Sequence, residues 1–546
     1  MPWEQLSITT AHISYAITGF AVIFGASALV LVRHYALIGE PTLATVVGII
    51  VGPSCLNWFN PAKWGNVDLI TIEISRFLLV LQLVLVGAEL PKKYLKKKAI
   101  DLILLLFPVM TFGWLLSSVF IWKLVPTLRW IEALCIAACV TATDPVLCSA
   151  VVGHGRFAKK VPSHIRNSIL AESGCNDGLA YPFVYLALTV MRYKSAAEIA
   201  KEFILLKILY QCVLGSLIGA LIGFGAYKLL RFVCSIAPQT SQQTFVLVWY
   251  VGLALLSAGV GNLSGTDELL IAFFCGCTLN WTGWFTEALD DVHISGQLDV
   301  LLNSGYFLYF GSIIPWAEFN NVAISLKAWK LVIIALLVLL LRRIPIALAL
   351  KPIVSDLRTW KQALVWGHFG PIGVGGLFVS LIARSELEGG TLVPSPSLPS
   401  PDHPHYFAIR TVWPVACFLA LSCIIVHGLS ASVYTAITSM WDGTGFNAFK
   451  QARTNWSTRY PTLTISSNSR FARALNFRAN MELSRQRKRT ASQFVDDSDR
   501  FESEADSVRI KSPSPRQSID VPREGIAACT SPSIQWADGH RRGDYR

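Results

Sequence analysis

Up to residue 436 the chain alternates long apolar runs with short polar stretches, and the runs set its architecture. A helix rises about 1.5 Å per residue, so about twenty apolar residues cross the hydrocarbon of a bilayer. Runs of that kind lie at residues 11–32, 42–57, 68–90, 101–123, 130–152, 163–190, 204–232, 243–260, 267–283, 297–316, 327–350, 361–384 and 408–436. The pattern predicts an all-α polytopic membrane protein with about thirteen transmembrane helices, the second and ninth being the shortest.

Loop charge orients these helices. The loops after odd-numbered spans carry "PKKYLKKK", "GHGRFAKKVPSHIR" and "KPIVSDLRTWK", which the positive-inside rule assigns to the cytoplasm. Loops after even spans are poor in Lys and Arg, and the longest, "SELEGGTLVPSPSLPSPDHPHY", is rich in Pro. The N-terminus is therefore expected outside and the C-terminal tail in the cytoplasm, with residues 1–436 a transmembrane domain and 437–546 a mostly disordered regulatory tail. In that tail "RKRTAS" has the form of a basophilic kinase substrate, with Thr490 or Ser492 as acceptor.

Composition adds exclusions. Of 546 residues 53% are hydrophobic and 15% charged, so the net charge of +12, which lies in loops and tail, points to lipid surfaces and not to nucleic acid. The twelve cysteines lie mostly inside apolar runs without the flanking ligands of a zinc site. No phosphate-binding loop, nucleotide fingerprint or hydrolase triad is visible, so neither an enzyme nor a cofactor is expected. Uphill transport by such a chain draws on an ion gradient.

Two spans are interrupted. In the fifth, "CIAACVTATDPVLCSAVV", Pro145 removes a backbone donor and disfavours helix before it, which frees carbonyls beside Thr143 and Asp144. The twelfth, "WGHFGPIGVGGLFVSLIA", breaks in the same manner at Gly370, Pro371 and Gly373. The two are seven positions apart in span order, an odd number, so they run in opposite directions, as inverted repeats with a midplane site between discontinuous helices require. Two ordinary proline kinks are the bland alternative.

The sixth span, "ILAESGCNDGLAYPFVYLAL", holds the most costly groups. Glu172 and Asn176 share a helix face, and Asp177 points elsewhere. Gly174 and Gly178 form a small-xxx-small pair that admits another helix, for which the broken fifth span is the natural candidate. A charge at the bilayer centre costs about 2.5–3.5 kcal/mol or more, so each acid needs a partner or a cavity. The eleventh span ends in "LRRIP", where Arg343 is the preferred structural partner for Glu172. Arg342 is the alternative, and two snorkelling cytoplasmic arginines are the simpler reading. Asp177 is left to hold either a proton or a cation.

Secondary candidates flank this site. Asp267 and Glu268 suit a helix N-terminus, with attraction of cations as the lesser reading. His368, beside the second break, suits either titration near neutral pH or a hydrogen-bonded core position. Glu73 and Arg76 are three apart and read as an internal pair.

Together "TATDPVL", "AESGCNDG", "LRRIP" and "HFGPIGVGGLF" resemble, in order, the motifs of fungal sodium/proton antiporters of the monovalent cation/proton antiporter superfamily. The resemblance covers most of residues 11–436. It implies a plasma-membrane homodimer whose core domain, with two crossing broken helices, moves against a dimerisation domain. It also implies exchange of cytosolic sodium or lithium, in some members potassium, for protons, serving salt tolerance and pH homeostasis. The family's Asn-Asp pair falls on Asn176 and Asp177, its broken-helix Thr-Asp on Thr143 and Asp144, and its membrane acid and base on Glu172 and Arg343. Asp177 is then the carboxylate that meets the transported sodium or lithium. The rival readings are a channel lined by the same acids, a sensor whose tail is the output, and an organic-solute symporter.

Overall fold

In the computed structural model the described residues are 9, 11–20, 22–23, 39–149, 161–236, 239–286 and 294–441. They belong to one compact unit, Met1–Gln451. Among them all regular structure is helical. Thr490, Ser492 and nearly all of the expected tail lie outside the described residues, as do residues 151–160 of the second basic loop.

Residues 24–32 of the first segment and 150–152 of the fifth lie outside the described residues; among the described residues helices occupy the predicted apolar segments in order. They are α1 (Glu40–Val51), α2 (Val67–Glu89), α3 (Ala99–Leu124), α4 (Trp130–Cys139), α5 (Pro145–Cys148), α6 (Ser163–Arg192) and α7 (Ala196–Ile236). Next come α8 (Gln239–Ser264), α9 (Glu268–Leu279), α10 (Ile294–Ile313), α11 (Ala328–Leu341) and α12 (Ile344–Leu350). The last are α13 (Trp360–His368), α14 (Val374–Gly389) and α15 (Tyr406–Trp441). Five stretches are long and apolar enough to cross a membrane by length and composition: α2, α3, α7, α11 with α12, and Tyr406–Ser430 of α15.

Three details depart from the sequence pattern. The second segment, expected to reach residue 57, stops being helical at Val51, because Pro53 has no N–H with which to continue the ladder. The seventh contains a thirteen-residue π-helix, Glu202–Leu214, inside its α-helix, a geometry with no signature in apolar periodicity. The third concerns the Gly174 and Gly178 pair of α6, which receives α9 and not the broken helix. A Cβ on Gly174 would lie 2.4 Å from the Phe273 ring, and one on Gly178 would lie 2.5 Å from Leu270. The small-residue stripe marked a close approach but carried no information about which helix makes it.

Both breaks fall where proline and glycine put them. α4 ends at Cys139, and α5 starts at Pro145 with Asp144 as its N-cap, accepting from Leu147 N at 3.1 Å. α13 ends at His368, and α14 restarts at Val374. The breaks meet, since the Asp144 N–H donates to the Pro371 carbonyl at 2.8 Å.

The loops sort to two sides. Lys98, after α2, reaches Asp356, after α12, at 2.6 Å, joining two of the basic loops. On the other side Asn66 donates to the Pro394 carbonyl at 3.0 Å, and Thr127 donates to the Ile324 carbonyl at 3.1 Å.

Candidate functional site

The two carboxylates of the α6 motif sit in unlike surroundings, although both are fully buried at 0% exposure. Glu172 is satisfied on both oxygens. Arg343 donates to Oε1 at 2.8 Å and to Oε2 at 3.1 Å, Asn176 Nδ2 donates to Oε1 at 2.6 Å, and Thr143 Oγ1 donates to Oε2 at 3.2 Å. A forked, charge-assisted pair with further donors on both oxygens is the arrangement that offsets the desolvation of a buried ion pair. Arg343 is itself held, with its guanidinium carbon 4.3 Å from the centre of the buried Trp366 ring.

Asn176 turns toward the same network. Its Nδ2 also donates to Thr143 Oγ1 at 2.8 Å, and its Oδ1 accepts from Thr143 N at 3.1 Å. The Thr143 hydroxyl further contacts Ser173 Oγ at 2.9 Å, a residue the sequence reading passed over. Helical phase accounts for this, because Glu172 and Asn176 lie one turn apart on the face that meets the break between α4 and α5.

Asp177 is different, since neither carboxylate oxygen has a hydrogen-bond partner among the described residues. Its near neighbour is backbone: a Cβ on Gly375, in the first turn of α14, would fall 2.3 Å from Oδ1. Beside it a Cβ on Gly373 would fall 2.2 Å from Asp144 Oδ2, and the N–H groups of Val374 and Gly375 face the Asp144 carboxylate. Glycine is required at both positions for the start of α14 to approach two carboxylates. Negative charge is favoured there, because four N–H groups at a helix start have no intrahelical acceptor.

Arg342 has a separate task that sequence did not reveal. It is buried at 4% exposure and pairs with no acid among the described residues. Its guanidinium donates to the carbonyls of Val140, Thr141 and Ala142 at 2.5, 3.2 and 3.4 Å and to that of Gly370 at 2.5 Å. These carbonyls lie in the two breaks, at or just past the ends of α4 and α13, so one cation faces the negative ends of both broken helices, and Asp144 stands at the positive starts of α5 and α14. Burial of both arginines removes the snorkelling reading, because their terminal guanidinium nitrogens donate inside the protein.

Asp267 caps α9, accepting from Leu269 N and Leu270 N at 3.0 Å, while its Oδ2 lies against Gly178 without a hydrogen-bond partner. Arg76 bonds to Glu73 and also reaches Glu268 of α9 at 3.2 Å. His368 contacts Ser430 Oγ through Nε2 at 3.0 Å and packs on His427 with ring centres 4.9 Å apart, and it lines an apolar cavity of about 510 Å³ whose lining does not include Asp177.

A profile described as "Sodium/hydrogen exchanger, transmembrane" matches residues 19–436. The chain is 45% identical over 438 residues to Na(+)/H(+) antiporter 2 of Zygosaccharomyces rouxii, covering 79% of this chain and 54% of that protein. It is 43% identical over 481 residues to a Na(+)/H(+) antiporter of Saccharomyces cerevisiae, covering 86% and 48%. A Na(+)/H(+) antiporter of Schizosaccharomyces pombe is 35% identical over 436 residues, covering 79% and 92%. The chain thus spans about half the length of the first two relatives and nearly all of the third. Among solved structures it is similar in fold to the sodium proton antiporter MjNhaP1 from Methanocaldococcus jannaschii, with a TM-score of 0.53 at 19% identity over 76% of this chain and 99% of that one. On these matches, the chain is a multi-pass membrane protein that belongs to the sodium/hydrogen exchanger family.

Proposed function

We propose that this chain is a secondary active antiporter that exchanges cytosolic sodium or lithium, with potassium as a further candidate cation, for protons by competition at Asp177. One observation carries the reading. Asp177 is a fully buried carboxylate with no hydrogen-bond partner among the described residues, five residues from another acid that is fully satisfied. A bare anion in that position is costly, and a proton or a monovalent cation each relieves the cost. Both cannot be held at once, so the site carries one or the other across, and competition supplies the coupling.

Thr143, Asn176 and Asp144 position the site in this scheme. Glu172 keeps its charge permanently answered by Arg343, which removes it from the exchange. Relatives named as Na(+)/H(+) antiporters support the reaction class. The same reading places the protein in the plasma membrane as a homodimer, with its N-terminus outside and residues 437–546 as a cytoplasmic regulatory tail phosphorylated at Thr490 or Ser492. Its roles there are salt tolerance and pH homeostasis.

The test is sodium-driven proton movement in vesicles bearing the full chain, with lithium and potassium compared across pH. Asp177→Asn is expected to abolish exchange without loss of folded protein. Unchanged exchange in that variant overturns the assignment.

A further inference from the structure

On the side where the loops after even-numbered spans meet, α14 is tied to two other helices by charged side chains that take no part in the exchange site. Arg384 of α14 reaches Asp68 of α2 at 2.9 Å and Glu388 one turn farther along α14 at 2.8 Å. The other Glu388 oxygen accepts from Ser395 N at 2.9 Å, and in the same place Asn66 holds the Pro394 carbonyl. The Arg384 and Asp68 side chains are only 13% and 20% exposed. Glu386 of α14 instead bonds to α6, accepting from Tyr185 at 3.1 Å and Arg192 at 3.2 Å.

The two sets of bonds differ in what they join. α4, α5, α6, α13 and α14 are one bonded body, held through Thr143 to Glu172, Asp144 to Pro371 and Arg342 to both helix ends. Glu386 to α6 lies within that body. Asp68 to Arg384 lies between that body and α2, which among the described residues contributes no hydrogen bond to Glu172 or Asp177. Arg384 stands nine residues beyond Gly375, which presses on Asp177, so it lies about 13 Å farther out along the same helix. Between them is an intermediate layer: Arg76 of α2 stacks over Phe378 of α14 at 5.5 Å, and Tyr181, one turn from Asp177, meets the same ring at 6.5 Å.

We propose that the Asp68–Arg384 ion pair is a latch that holds the outer side shut over Asp177, and that it opens when the site is exposed outward. The inference rests on the exchange reading above. A part-buried pair is suited to the task. It is strong enough to bias two states and weak enough to be broken in each cycle, whereas a forked pair such as that of Glu172 and Arg343 is not released without large cost. Loss of the latch lowers the fraction of protein open to the cytosol, and apparent affinity from that face falls in proportion.

The experiment measures half-saturating sodium from each face separately, in proteoliposomes of known orientation containing the full chain. Arg384→Gln and Asp68→Asn are each expected to raise the cytosolic value about two- to fivefold and to lower the external value by a like factor. The charge-exchanged double variant Asp68→Arg with Arg384→Asp is expected to bring both values back to within about twofold of wild type. Equal changes on both faces in the two neutral variants, or no change on either, overturns the latch. Because Asp68→Asn leaves the Arg384 bond to Glu388 in place, it decides the matter even if the double variant does not fold. Absence of exchange in the wild type would count against the proposed function, whereas the latch is judged only by the asymmetry between faces.

Discussion

Glu172 and Asp177 stand five residues apart on one helix, equally buried and unequally satisfied. Around Glu172 the protein supplies a forked guanidinium, an amide and a hydroxyl, whereas around Asp177 it supplies a glycine backbone and no hydrogen bond to the carboxylate. The difference teaches that burial alone does not define a working acid. A buried carboxylate whose lone pairs are filled is part of the scaffold, and one whose lone pairs are empty is left open to a proton or a cation.

That contrast can be broken most forcefully from the Glu172 side. Arg343→Ala leaves Glu172 buried without its cation, and a cost of about 3–5 kcal/mol in stability is expected, read as a large fall in thermal unfolding temperature in detergent. Asp177→Asn removes an unpartnered charge and is expected to leave that temperature unchanged or higher. Equal destabilisation by the two substitutions would erase the distinction between scaffold and site.

A smaller effect sharpens the Asp177 side. Gly375→Ala puts a methyl group where Oδ1 now lies, and overpacking of this kind costs about 1–3 kcal/mol. The half-saturating sodium concentration is expected to rise by about tenfold or more, with less change in unfolding temperature than Arg343→Ala causes. An unaltered sodium dependence would show that α14 does not bound the site.

The smallest effect belongs to a pair remote from both acids. The Asp356 carboxylate beside Lys98 raises the lysine pKa above its ordinary value. A raised lysine pKa contributes stability that is fully present below the unfolded pKa and is lost as pH rises through the folded one. Lys98→Ala is therefore expected to lower stability by about 1 kcal/mol or less at neutral pH, with the difference from wild type vanishing at strongly alkaline pH. A difference that persists there would assign the loss to packing of the lysine stem.

How much of this was legible in the sequence follows from where the information resides. The interruptions at Pro145 and at Gly370 with Pro371 were readable, because proline and glycine act on their own backbone whatever surrounds them. The shared face of Glu172 and Asn176 was readable from helical phase alone. The partner of Gly174 and Gly178 was not, since a stripe of small residues names no neighbour, and α9 takes the place expected of the broken helix. The work of Arg342 was hidden for another reason: its acceptors are main-chain carbonyls, which every residue possesses and no motif records. The Asp68–Arg384 pair, more than three hundred positions apart in the chain, leaves no local pattern either.

The central claim is that Asp177, and not Glu172, exchanges a proton for a cation. Its most direct measurement is proton release on addition of sodium to the purified protein in weakly buffered solution, for wild type and for Asp177→Asn at matched folded concentration. A stoichiometric proton release is expected from wild type and none from Asp177→Asn. Sodium-dependent release of undiminished size from Asp177→Asn would contradict it.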